Sequence, residues 1–287
     1  MITYKPLSEL PIKMASDLWN LSFENYSVDV SMPMDRFIDR VANEGLSLTR
    51  SFACYVDEAP AAIVMNGFRH VGESLMAWNG GTAVAPAFRK RGIGKALMQH
   101  NQALYIAEGV KRATLEAISS NKSAIHLYEG QGYSVIDQLK LLSCKRLNPM
   151  GLVADKQTYD IYRSPAAAAT AIPWYHVCDV WQAGLQSLKN GECVFATKDN
   201  KIVSYGLIRR VYDVDGSVKG IILYRLETAP DCVDERAALS VILRELWQPE
   251  LDCKRTVFNI PASKPQQLNI LEEMGFSETM EQVLMAN

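Results

Sequence analysis

The chain has 287 residues, of which 48% are hydrophobic and 22% charged, and its formal net charge is −2. This balance is that of an ordinary globular protein and excludes a disordered chain, a collagen-like repeat and a coiled coil. It gives no general drive toward nucleic acid or an anionic membrane, so any anion site must come from a local cluster of residues.

In chain order, residues 2–4 read as a short strand, followed by helices over 14–25 and, after Pro33, over 34–43. Three β-rich runs follow, at 51–56, 61–68 and 74–84, punctuated by Gly, Pro, Asp and Glu as in an antiparallel meander. The period then changes. Ile93, Ala96, Leu97, Ala103, Leu104 and Ala107 recur at helical spacing, which predicts an amphipathic helix over 92–108. A strand over 113–118, a short helix over 123–129 and a long strand over 133–144 complete the first half. Asn148-Pro149-Met150-Gly151 is a break signal. Beyond it come a strand at 159–162, a helix at 177–188, strands at 193–197, 202–211 and 220–228, a helix at 235–247, a strand at 256–260, a helix at 265–274 and a strand at 276–285.

The two halves overlay. Ala85-Pro86 matches Ala229-Pro230, and Glu129…Gly132-Tyr133 matches Glu272…Gly275-Phe276, both at an offset near 144. Agreement of element order with the closing Gly-aromatic pair predicts two copies of one α+β unit, over 1–150 and 151–287. No apolar run is long enough to span a bilayer. Residues 1–6 lack the pattern of a signal peptide, so the protein reads as cytoplasmic, with no membrane partner. The six cysteines are scattered singly and read as reduced, mostly buried thiols. The four histidines show no zinc spacing, so no metal is expected.

The chemistry concentrates between Gly80 and Tyr133. A strand ends near Val84, and Ala85-Pro86-Ala87-Phe88-Arg89-Lys90-Arg91-Gly92-Ile93-Gly94-Lys95 leads into a helix. Glycines admit close approach of a ligand to the backbone, and the free N–H groups of a helix N-terminus favour an anion. Arg89, Lys90, Arg91 and Lys95 add positive charge, and no Asp or Glu occurs between Ser74 and Ala107. A diphosphate is the best-fitting anion. Two familiar phosphate loops fit badly. Gly94-Lys95 is followed by Ala96 rather than Ser or Thr, and Gly92-Ile93-Gly94-Lys95-Ala96-Leu97 lacks the third glycine of a dinucleotide fingerprint.

The stretch resembles motif A of the GNAT superfamily, the acyl-CoA-dependent N-acyltransferases, in its Arg89-x-x-Gly92-x-Gly94 core and the flanking Val84, Pro86, Phe88 and Leu97. The next motif also fits, with Leu115-Glu116 on a strand, Asn121, Ala124, Leu127-Tyr128-Glu129 on a helix, then Gly132-Tyr133. The resemblance implies an α+β fold of two GNAT-like domains, each a mixed, mostly antiparallel sheet flanked by helices. It implies an N-acetyltransferase that uses acetyl-CoA as co-substrate and a small-molecule or peptide amine as acceptor, and it admits a homodimer. The pantetheine arm would pair with the backbone at Thr82, Ala83 and Val84. The pyrophosphate would lie on the N–H groups from Arg89 to Lys95, Ile93 included. Tyr128 would protonate the leaving thiolate as general acid; its alternative is an ordinary helix aromatic. Asn121 would hold pantetheine or cap its helix. Glu116 would take the amine proton or remain a solvated strand glutamate. His126 reads as structural. A non-catalytic acyl-CoA-binding protein is the rival reading, which the presence of Tyr128 disfavours.

The second copy has lost this equipment. At the aligned place it reads Ala229-Pro230-Asp231-Cys232-Val233-Asp234-Glu235-Arg236-Ala237-Ala238, without glycine and with three acids, and Leu271 stands where Tyr128 stands in the first copy. A degenerate, non-binding copy is expected, which walls the acceptor site or serves as structure.

Overall fold

A computed structural model describes residues 1–26, 28–148 and 159–287. The expected break at Asn148-Pro149-Met150-Gly151 runs into residues 149–158, outside the described ones. The chain divides into two compact units, Met1–Ile136 with Leu284–Asn287, and Asp137–Val283.

The first unit is built from β1 (Ile2–Pro6), α1 (Ile12–Ser22), α2 (Met34–Glu44), β2 (Phe52–Val56), β3 (Ala59–Val71), β4 (Ser74–Val84), α3 (Ile93–Ala107), β5 (Arg112–Ile118), α4 (Lys122–Glu129) and the start of β6 (Ser134–Cys144). β1 to β4 pair antiparallel in sequence order, and β5 joins β4 in parallel. The meander and the β-α-β step after it are as the punctuated β-rich runs and the change of period predict. α3 buries Ile93, Leu97, Met98 and Tyr105, and Ile93 and Leu97 join Phe52, Cys54, Ala62 and Val64 of the sheet in one core. Leu284–Asn287 also belong to this unit. Asn287 exchanges two hydrogen bonds with Ala113 of β5, through its own N–H at 3.2 Å and its side-chain Oδ1 at 2.9 Å.

The second unit holds most of β6, then β7 (Asp160–Pro165), β8 (Glu192–Lys198), β9 (Lys201–Tyr212), β10 (Val218–Thr228), α5 (Glu235–Trp247), β11 (Lys254–Pro261), α6 (Pro265–Glu273) and most of β12 (Ser277–Ala286). Its strands run in the order β12-β6-β11-β10-β9-β8-β7. β10 and β11 are parallel, and β7 to β10 antiparallel. Trp247, Leu243, Leu246 and Ile242 of α5 form its core with Val257, Leu223 and Leu271.

The two units repeat each other down to their turns. β2 and β3 are joined by Asp57-Glu58, and β8 and β9 by Asp199-Asn200, all four residues at positive φ. That is the backbone a two-residue hairpin requires. One expected element is absent. Residues 177–188 form no α-helix but two short 3-10 turns, Trp181–Ala183 and Leu185–Ser187. Gly184 between them is extended, with φ −74° and ψ 146°. The side chains of Cys178 and Ser187 donate to the carbonyls of Val180 and Trp181 instead. Side chains that capture backbone groups compete with helix formation, and the β-branched Val177 and Val180 weaken it further.

All six cysteines are free thiols, four of them buried. Among the described residues no helix is long and apolar enough to cross a membrane, and no cluster of His, Cys, Asp and Glu could hold a metal.

Candidate active site

β4 and β5 pair from Met76↔Arg112 to Asn79↔Leu115. Beyond that rung both strands run on, to Val84 and Ile118, without pairing with each other. Thr82, Ala83 and Val84 therefore line an opening rather than a neighbouring strand, and an extended ligand carrying amides can continue the ladder there. The bend originates in β4. Gly80 is an extra residue against β3, since Met65 pairs with Gly81 and Asn66 with Asn79, and such a bulge turns its strand. Asn79 holds the bulge by accepting from the Gly81 N–H at 3.1 Å. Only glycine fits at 81, because a β-carbon would stand 2.7 Å from the Trp19 ring.

The loop after β4 forms a 3-10 turn at Pro86–Phe88 and reaches α3 through Gly92, at φ 77° and with no side-chain cap. The first bond of the helix runs from the Ala96 N–H to the Gly92 carbonyl. The N–H groups of Ile93, Gly94 and Lys95 are thus open donors at the positive end of the helix dipole. Lys90, Arg91 and Lys95 are exposed around them. Arg89 is placed differently. Its guanidinium donates to the carbonyls of Val84 at 2.9 Å, Ser22 at 3.2 Å and Glu24 at 2.5 Å, and its own N–H goes to Pro86. It ties the end of β4 to the end of α1.

Tyr128 is buried on α4, edge-on to Tyr133. Burial, and then the Tyr26 phenol, push its pKa up, while the Thr82 hydroxyl opposes the shift as a hydrogen-bond partner. The phenol therefore keeps its proton at neutral pH. Asn121 is the N-cap of α4, accepting from the Ala124 N–H at 3.1 Å, and its amide also donates to the Tyr26 hydroxyl at 2.9 Å. His126 is exposed, not packed into the fold.

Glu116 lies on β5 beyond the last rung. Its Oε2 accepts from the Trp78 indole at 2.7 Å, and its Oε1 is buried without a partner. Burial pushes its carboxyl up to about 7; the Trp78 hydrogen bond works against this, Glu44 adds to it and Arg40 opposes it. Arg40 pairs with Glu44 at 3.0 Å, donates to the Gly80 carbonyl at 2.5 Å and lies 4.6 Å from the Trp19 ring centre. Trp78, Arg40 and Tyr26 are site residues that motif reading misses. Trp78 has a faint signal in its place two residues before Gly80-Gly81. Arg40 and Tyr26 come from α2 and the segment before it, where no spacing points to β4.

The second unit has an opening of the same kind. β10 and β11 pair in parallel up to Leu223↔Val257 and then continue without pairing with each other. There the unit's own side chains fill the space. Glu227 accepts from Arg225 at 2.9 Å and from Lys264, leaving a cavity of about 30 Å³. That is room for little more than water. At the start of α5, Asp234 accepts from the Ala237 N–H at 3.0 Å and Glu235 from the Thr228 hydroxyl at 2.8 Å. The helix terminus is capped by the protein's own carboxylate.

Residues 14–133 match the acetyltransferase (GNAT) family model. A curated relative, the peptidyl-lysine N-acetyltransferase YiaC of Escherichia coli (strain K12), is 41% identical over 54 residues, 19% of this chain and 34% of that protein. The match thus spans about a third of the relative's length. Over its whole length the chain takes the fold of a tandem GNAT protein from the clavulanic acid biosynthesis pathway, at 12% identity and a TM-score of 0.68, covering 98% of that chain. It is equally similar to a GCN5-related N-acetyltransferase from Sphaerobacter thermophilus, at 14% identity, a TM-score of 0.68 and 95% of that chain. The family match spans the bulged end of β4, the uncapped start of α3 and α4, and the likeness to these structures over the whole chain shows a shared fold.

Proposed function

We propose that the first copy transfers an acetyl group from acetyl-CoA to a primary amine by direct attack, and that the second copy binds no CoA. The observation that carries this reading is the end of β4, open on its β5 side, running into the uncapped start of α3. The residues present fit the donor. An open strand edge suits an amide-bearing arm, and free N–H groups beside Lys90, Arg91 and Lys95 suit a diphosphate. The thioester, when bound, supplies the activated acetyl group.

The chain's residues then divide the proton work. Glu116, with a carboxyl that titrates near neutrality, takes a proton from the acceptor ammonium, directly or through water, and leaves a nucleophilic amine. The amine nitrogen bonds to the thioester carbon, and the backbone around Val84 polarises the carbonyl. As the carbon–sulfur bond breaks, Tyr128 gives its proton to the sulfur, and the nitrogen, protonated by its attack, releases its extra proton to water, from which Tyr128 is reprotonated. Asn121 orders the start of α4 and, with it, Tyr128. The name of the curated relative supports the lysine side chain of a peptide as one acceptor class.

The test is acetyl-CoA consumption against a panel of amines that includes lysine peptides, polyamines and amino acids. Stoichiometric acetylation of at least one amine is expected. Tight acetyl-CoA binding with no turnover on any of them would overturn the enzymatic reading in favour of a binding protein.

A further inference from the structure

Arg40 reaches from α2 to the bend of β4. Its Nε pairs with Glu44 Oε2 at 3.0 Å, one turn along the same helix, and its Nη2 donates to the Gly80 carbonyl at 2.5 Å. The guanidinium lies 4.6 Å from the Trp19 ring centre and 6.0 Å from that of Trp78. Gly80 in turn is covered by the Trp78 indole. A β-carbon at 80 would stand 2.6 Å from the six-membered ring of Trp78 and 3.0 Å from Leu46. The indole N–H then meets Glu116 Oε2 at 2.7 Å. An unbroken run of contacts thus leads from α2, through the bulge of β4, to the carboxylate on β5.

We infer that Arg40 is a positioning residue for Glu116: by holding the Gly80 carbonyl it fixes the bulge on which the Trp78 ring rests, and so aims the indole N–H at the carboxylate. The need follows from the bulge. Gly80 is the extra residue against β3, and a bulged residue is left out of the ladder, so its carbonyl takes a donor from outside the sheet. Arginine suits the task. Its planar fork donates in two directions at once, here to Glu44 and Gly80, while its face stacks on an aromatic ring, here Trp19. Without that grip the bulge and the ring resting on it can relax together, and the indole N–H loses its aim. Glu116 is faced by the charges of Arg40 and Glu44 from α2 and by the Trp78 N–H from β4. Two effects of Arg40 must therefore be told apart, its charge and its grip. The bend that opens β4 for the donor thus also sets the base.

This inference rests on the proposed role of Glu116 as base, and its test needs no acceptor. The probe is the Trp78 indole N–H, followed by NMR across the neutral pH range and assigned by its loss in Trp78→Phe. In wild type the signal should carry the shift of a hydrogen-bonded indole and titrate with Glu116, and Glu116→Gln should abolish the titration. Arg40→Lys keeps the positive charge and loses the planar fork, whereas Arg40→Met loses both. Each variant is checked for an unchanged fold by circular dichroism, and Arg40→Lys carries the test alone should Arg40→Met not fold. The expected result is an indole signal that moves to the position of a free indole and loses its titration in both variants. A hydrogen-bonded, titrating signal in Arg40→Lys would overturn the inference and leave Arg40 as a charge alone. A wild-type titration that persists in Glu116→Gln would overturn it as well. An amine acetylated by Glu116→Gln at the wild-type rate overturns the base reading instead, and with it the catalytic meaning of Arg40, even where the indole behaves as expected.

Discussion

The indole N–H of Trp78 donates to Glu116 Oε2 at 2.7 Å, from β4 to β5, just where the parallel ladder between them ends. The bond fixes one oxygen of the carboxylate and leaves the other buried and unpaired. A carboxyl so held titrates at about 7, above its ordinary 4.5. The folded state therefore favours the protonated form. Its contribution to stability is whole below about pH 4.5 and is lost as pH rises through 7. Activity should move the other way, rising through pH 7 as the carboxylate forms. Trp78→Phe removes the interaction that holds the pKa down, so the acidic limb of the rate profile should shift to higher pH. Glu116→Gln should remove the limb and lower kcat by about 10²-fold. A rate profile that keeps its limb in Glu116→Gln would assign the titration to another group.

Arg89 is expected to act on stability as well as charge. Its guanidinium serves three backbone carbonyls from β4 and the end of α1. Arg89→Ala should destabilise the protein by about 1.5–3 kcal/mol, the range of hydrogen bonds to a charged group, and lower its melting temperature by a few degrees. A variant that loses CoA affinity but melts like wild type would place Arg89 on the ligand instead.

Much of this was legible in the sequence, and the gaps have physical causes. The helix period over α3 is strong because Ile93 and Leu97 are buried with the sheet in one core. The loss of anion-site chemistry in the second copy was legible as charge, since Asp234 and Glu235 stand at the start of α5. What the letters could not carry was pairing at long range. Trp78 with Glu116, and Tyr26 with Asn121, meet through strand register and loop path, not spacing. The expected helix at 177–188 failed because its apolar spacing is real but Gly184 and the capturing side chains of Cys178 and Ser187 favour turns.

Gly92 is the hinge of the donor loop. At φ 77° a side chain costs roughly 1–2 kcal/mol, and a carboxylate there would face whatever anion the open N–H groups attract. Gly92→Asp should weaken acetyl-CoA binding by about tenfold or more. Unchanged affinity by calorimetry with the fold intact would remove the anion site from α3.

Tyr128→Phe keeps the ring that packs on Tyr133 and removes only the proton donor. The expected outcome is a fall in kcat of about 10²-fold, with acetyl-CoA affinity nearly unchanged. The thiolate is already a fair leaving group, which keeps the effect at the lower end. Wild-type turnover under rate-limiting chemistry would reduce Tyr128 to a packing residue.

The most direct test of the account is the stoichiometry of acetyl-CoA binding to the intact chain by titration calorimetry. Both copies have a parallel strand pair that opens. The first opening leads to an uncapped helix among cations, whereas the second is filled by Arg225, Glu227 and Lys264 and leads to a helix capped by Asp234. One acetyl-CoA per chain is expected, bound about tenfold or more weakly in Gly92→Asp. Two per chain, or one that survives Gly92→Asp undiminished, would contradict it.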